Sequence, residues 1–249
     1  MAHQDLSVTG PDQHSNHRLK PALLLLLASL AGLISWAIAE RTGNIATVPP
    51  EIAAKNYQFK ELNAATIRMN SINGALTYGG LGAITCIAIS CSILVAAKRQ
   101  TRQITQSALI SAILGFIAGS LPCLIVMPMH WMNRNNDPSV LDLTRPLLYH
   151  LGLWLPIGMA SGLMHGIHCR LKGSALIQSM MTGLLGALFG TFFYEFAGAI
   201  LLPMDLTVDP VPATVKARLL AHLSVPIGIA FGLILANSRK PKISPESVG

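Results

Sequence analysis

The chain has 249 residues, of which 51% are hydrophobic and only 12% charged. Soluble domains carry about 25% charged residues, and the apolar residues here come in blocks near the ~20 residues of helix that a bilayer requires, so a soluble globular protein is excluded. The net charge of +7 does not mark a nucleic-acid binder, because Lys and Arg fall in short connections between apolar runs rather than along one face.

Residues 1–20 are polar and aperiodic, carry His3, His14 and His17, and predict a disordered cytoplasmic tail. A first span covers 21–39. Its sequence, HRLK followed by PALLLLLASLAGLIS and SWAIAE, also has the form of a signal peptide with an A-x-A site ending at Ala39. The long leucine-rich run favours a retained signal anchor over cleavage. Residues 48–73 predict an extracytoplasmic helix, with Pro50 at a first helical position, Glu51 and Lys55 four apart, and Ile52, Phe59, Leu62 and Met69 at near-helical spacing. It either lies on the membrane or runs straight into span two.

Five further spans, 74–97, 107–129, 147–168, 174–202 and 217–236, make a membrane domain over 74–236, and 237–249 is a basic tail. The connections KRQTR (Lys98, Arg99, Arg102) and CRLKG (Arg170, Lys172), the tail SRKPK (Arg239, Lys240, Lys242), and Arg18 with Lys20 all fall on one side. The positive-inside rule then places both termini in the cytoplasm of a cytoplasmic (inner) membrane. Glu51, Glu61, Asp137, Asp142, Asp205 and Asp209 fall on the other side, the last two in an outer loop, MDLTVDPVP, expected to be solvated.

Spans four and six carry nearly the same string. RPLLYHLGLWLPIGMASGL starts at Arg145 and RLLAHLSVPIGIAFGL at Arg218, and both place a histidine (His150, His222) ahead of P-I-G-x-A-x-G-L from Pro156 and Pro226. Spans three and five correspond through ILGFIAG (Gly115, Gly119) and LLGALFG (Gly186, Gly190), each followed by a Pro-Met pair, Pro128-Met129 and Pro203-Met204, expected to end its helix. The expected fold is therefore an all-α integral membrane protein: a bundle of six transmembrane helices with a parallel helical-hairpin repeat and the extracytoplasmic helix before span two. The spacings Gly115/Gly119, Gly158/Gly162, Gly186/Gly190 and Gly228/Gly232 suit close helix packing. Pro156 and Pro226 each remove a helix hydrogen bond and are candidate kinks. The four cysteines form no C-x-x-C pair and read as free thiols.

The chemistry concentrates in ionisable groups at membrane depth. Glu195 lies eight residues before Pro203, and the topology brings it to the level of His150 and His222, with Arg145, Arg218 and His130 nearby. A charge at that depth normally faces the interior with a partner. Three arrangements fit: a clip in which Glu195 pairs with Arg145 or Arg218, a proton or cation site relayed by the histidines, and a metal or haem site. No HExxH or similar motif supports the third, and no metal or cofactor is assigned. In HGIHC, His165, His168 and Cys169 sit near a helix C-terminus, where the dipole favours histidine.

No phosphate loop, nucleophile elbow or protease frame is present, so enzyme chemistry is not expected. The sequence leads to a small-solute or ion permease-like protein with Glu195 at its centre. The alternative is a non-transporting structural or accessory membrane protein in which Glu195 is a helix clip. The bilayer is the expected partner, with a second copy or another membrane protein open.

Overall fold

The computed structural model describes residues 20–42, 45–54, 59–136, 144–203 and 209–238. Of the expected tails it covers only Lys20, Asn237 and Ser238, and Lys55, Asp137, Asp142 and Asp205 lie outside the described residues. The helices are α1 (Pro21–Thr42), α2 (Pro50–Ala53, a single turn), α3 (Phe59–Ala96), α4 (Thr101–Ser120), α5 (Cys123–Asn136), α6 (Thr144–His168), α7 (Ser174–Leu201) and α8 (Val215–Ser238). Taking α4 and α5 as one path, six are long and apolar enough to cross a membrane, and the described residues contain no strand. This is a multi-pass membrane protein.

Residues 59–73 take the second of the two expected courses and run straight into span two, because α3 is unbroken for 38 residues. Between Phe59 and Asn73 there is no proline or glycine, and Lys60, Glu61, Leu62, Ala64, Ala65, Arg68 and Met69 are good helix formers. At ~1.5 Å per residue α3 is about 57 Å long, well beyond a ~30 Å hydrocarbon layer. The third span does not end at Pro128, which lies inside α5. Its break comes earlier, at Leu121-Pro122, where proline has no N–H to give and its ring clashes with the preceding turn. Pro203, by contrast, follows the end of α7 at Leu201.

α3 packs against α4, α6 against α7 and α7 against α8, while α1 lies between α3 and α8. Lipid tails are as apolar as leucine, so no hydrophobic effect draws helices together in a bilayer, and close backbone approach must do so. Gly115 and Gly119 of α4 meet the backbone of Gly82 and Tyr78 in α3; Gly158 and Gly162 of α6 meet Gly183 and Ser179 in α7. On another side of α7, Gly186 and Gly190 meet Gly228, Ile229 and Ser224 of α8, and Gly232 meets Thr182 and Gly186. Leu109, Ile113, Leu185, Phe189, Phe193, Phe196 and Ile200 point outward instead. Small residues line the closest helix contacts, while these large ones lie on the face suited to lipid. Pro156 and Pro226 both sit inside continuous helices, α6 and α8.

The α3–α4 and α6–α7 turns are alike. Lys98 and Arg170 both take a left-handed conformation (φ 51° and 55°) at a helix end. The next amide in each closes back five residues, Arg99 to the Leu94 carbonyl (3.0 Å) and Leu171 to the Gly166 carbonyl (2.9 Å). These turns, with Lys20, lie at one end of the bundle, hereafter the His165 end. The start of α3, α5 and the start of α8 lie at the opposite, Glu195 end.

Gly82 and Gly80 offer a paired test on one helix. A Cβ at Gly82 would fall on the Gly115 carbonyl, whereas one at Gly80 meets nothing within 4 Å. Gly82→Ala is expected to destabilise by about 1–3 kcal/mol and Gly80→Ala to be neutral or slightly stabilising. Thermal unfolding in detergent, read by thiol-dye labelling of the buried Cys86 and Cys123, checks both; equal shifts would contradict the backbone-contact account.

Candidate functional site

The Glu195 end is organised by a five-residue segment, Asp209-Pro210-Val211-Pro212-Ala213, which connects to the start of α8. Its two prolines have no N–H, so the segment offers more acceptors than donors. Pro210 and Pro212 are buried, and Val211 packs on the core. Buried carbonyls need partners, and here side chains from three helices supply them.

His150 Nε2 on α6 donates to the Asp209 carbonyl at 3.2 Å. The Tyr78 hydroxyl on α3 donates to the Pro210 carbonyl. Arg218 Nη1 on α8 donates to the Pro212 and Ala213 carbonyls at 3.1 and 2.8 Å. The Asp209 side chain is held as well, with His130 Nε2 of α5 3.4 Å from its Oδ1. Asp209 is therefore not a solvated loop residue, as its sequence context had suggested.

Glu195 meets His150: Nδ1 and Oε1 lie 2.5 Å apart, in hydrogen-bond contact. The His150 side chain is fully buried and that of Glu195 is 14% exposed. Because the Asp209 carbonyl can only accept, Nε2 carries a hydrogen, and Nδ1 is the ring atom left to Glu195. Trp154 stacks on His150 at a centroid distance of 4.8 Å, and Tyr194 meets both rings edge-on at 5.1 and 5.2 Å.

Arg218 has a different partner from the one expected. Its Nε and Nη2 bind Glu40 Oε1 and Oε2 at 2.6 and 2.9 Å, a bidentate pair between α8 and α1. Planar guanidinium serves this geometry because it binds one carboxylate with two N–H groups and still has Nη1 free for the carbonyls. His222, one turn further along α8, bonds Ser35 of α1 at 2.9 Å. Ser35 gives its own hydrogen to the Gly32 carbonyl at 3.0 Å, so His222 Nδ1–H is the donor. The six groups expected to converge thus separate. Glu195 and His150 form one unit, Arg218 with Glu40 and His222 another, and His130 sits against Asp209. Arg145 opens α6, half-buried.

A cavity of about 440 Å³ lies outside this frame, lined by Glu40, Asn70, Asn73, Thr77, His130, Trp131, Asp209 and Arg218 among others. Neither Glu195 nor His150 lines it. The 209–213 segment contributes to its wall, and below lie the fully buried Trp154, Tyr78 and Tyr194. Among the described residues no three of His, Cys, Asp and Glu are grouped to hold a metal.

Glu40 and Tyr78 were missed from the sequence. Glu40 had been read as the residue after a cleavage motif, although an acid closing one apolar span and an arginine opening another was a usable signal. Tyr78 gave none, since a tyrosine in a glycine-rich span has no marked partner. The HGIHC histidines are helix pins. His165 bonds Ser179 at 2.9 Å and His168 bonds Ser107 at 2.7 Å.

Replacing Arg218 with Leu should lower stability by about 2–3 kcal/mol, since it unpairs Glu40 and two carbonyls. Exchanging the charges, Glu40→Arg with Arg218→Glu, should not restore it, because residue 218 must donate to the segment as well as pair with α1. Thermal unfolding in detergent decides, and recovery by the exchange would leave the carbonyl bonds without weight.

Comparison with known protein families, characterised proteins and solved structures finds no match to the chain.

Proposed function

We propose that this is a permease-like membrane protein that recognises a small polar solute in the cavity at the Glu195 end. The cavity carries the reading. Its size suits a small molecule, and its lining sets amides, a threonine, the Glu40–Arg218 ion pair and the His130–Asp209 contact around one space. In this account Glu195 does not touch solute; it holds His150, and through it the 209–213 segment, which separates the cavity from the helix interior.

The membrane is a cytoplasmic membrane with the His165 end inside. In support, the described residues at that end include Lys20, Lys98, Arg99, Arg102, Arg170 and Lys172 and no Asp or Glu. The cavity then opens to the outer compartment, with the first turns of α3 outside the membrane. The paired turns at Lys98 and Arg170, and the two P-I-G-x-A-x-G-L strings that pack on different sides of α7, support a duplicated hairpin. A second reading, a non-transporting accessory protein, draws on the filled interior. Leu153, Trp154, Ile157, Ile229 and Leu233 are buried between the two ends, and the ion pairs act as clips.

A solute screen by thermal shift, followed by flux of any hit in proteoliposomes, separates these readings. A hit should stabilise the wild type, and Asn70→Trp, which fills the cavity, should abolish the shift. Glu195→Gln should retain it, because a glutamine amide N–H can donate to His150 Nδ1 and leave the Nε2 hydrogen on the Asp209 carbonyl. Binding without flux would favour the accessory reading, and a hit untouched by Asn70→Trp would sink the cavity as the site.

A further inference from the structure

We propose that the groove between α7 and α8 at the His165 end is a binding site for one anionic phospholipid. The groove has a volume of about 600 Å³. It exists because Gly186 and Gly232 bring the two backbones together and leave no side chains to fill the space above them. Its chemistry changes along its length. Gln178 and Asn237 line one end, and Leu185, Phe189 and Phe231 line the other. From Gln178 to Phe189 is eleven residues, about 16 Å of helix rise, enough for a headgroup and the upper part of an acyl chain.

The polarity gradient runs the way a lipid's does. Leu185, Phe189 and Phe231 are 55%, 53% and 41% exposed and face outward from the bundle, and Phe189 and Phe231 stack at 5.5 Å to form an apolar floor. At the polar end the α6–α7 turn contributes Leu171 to the lining, and its neighbours Arg170 and Lys172 are exposed cations. No carboxylate among the described residues offsets them at this end of the molecule. Basic side chains beside an interhelical groove at the membrane surface select an anionic headgroup. A neutral lipid would fit the apolar half equally well and gain nothing from the cations. The site stands apart from the solute cavity and does not depend on it.

Native mass spectrometry of the full-length protein, titrated with phosphatidylglycerol and phosphatidylcholine of the same acyl chains, tests the assignment. One phosphatidylglycerol should bind with about 30-fold preference, as two nearby cations imply. The double variant Arg170→Gln/Lys172→Gln should lose the preference while still binding phosphatidylcholine, and Leu185→Trp, which narrows the groove, should weaken both lipids. All three residues are exposed, so the fold is not at risk. Equal binding of the two lipids, adducts insensitive to both variants, or a dimer that forms a disulfide through Leu185→Cys, would overturn it.

Discussion

Four backbone carbonyls within five residues are what the Glu195 end is built around. A proline-rich segment that enters a helical bundle has no ladder to join, and its buried carbonyls still need partners. The chain answers with side chains: imidazole to Asp209, phenol to Pro210, guanidinium to Pro212 and Ala213. Each of those donors is itself fixed. His150 is held by Glu195 and Trp154, Tyr78 is buried in the core, and Arg218 is held by Glu40. The ionisable groups at this depth, costly by themselves, therefore follow from the need to seat one loop.

That loop also unites helices which glycine contacts alone leave as adjacent pairs. The backbone approaches join α3 to α4, α6 to α7, α7 to α8 and, through Gly32 against the His222 carbonyl, α1 to α8. The carbonyl bonds tie α3, α6 and α8 to a single segment, and the Glu40–Arg218 pair adds α1. Span one is accordingly part of the bundle, with Leu24 and Ala28 in the core and Ser35 bonded to His222.

Much of this architecture was legible in the sequence because membrane helices announce themselves by local composition. The spans, the basic connections and the glycine spacings are short-range patterns, and the Gly158, Gly186 and Gly228 strings did lie at helix contacts. The boundaries at 59–73 and Pro122 were harder, since a helix that outruns the membrane changes polarity without changing conformation. Partner choice was the least legible. Charge pairing alone suggested Glu195 with an arginine, but the competing demand came from backbone carbonyls in 209–213, which a sequence of side chains does not display. Once Arg218 is claimed by those carbonyls and by Glu40, Glu195 must find another donor, and His150 across the α6–α7 contact provides it.

Three buried histidines then explain why that donor needs a partner other than a serine. His165 and His222 each give Nδ1–H to a serine, Ser179 or Ser35, whose hydroxyl hydrogen is already committed to the carbonyl of Gly162 or Gly32. Such a serine can only accept, which puts the ring hydrogen on Nδ1 and leaves Nε2 of a neutral ring as an acceptor. That is harmless where Nε2 faces an amide, as His165 faces Asn237. It would fail at position 150, where Nε2 faces the Asp209 carbonyl and must donate. Glu195 resolves the conflict. A carboxyl group can sit ionised beside a doubly protonated ring or keep its proton and donate a hydrogen bond to Nδ1, and in both cases Nε2 keeps its hydrogen. The glutamate inside an apolar span is there because the histidine opposite it has to donate from its far side.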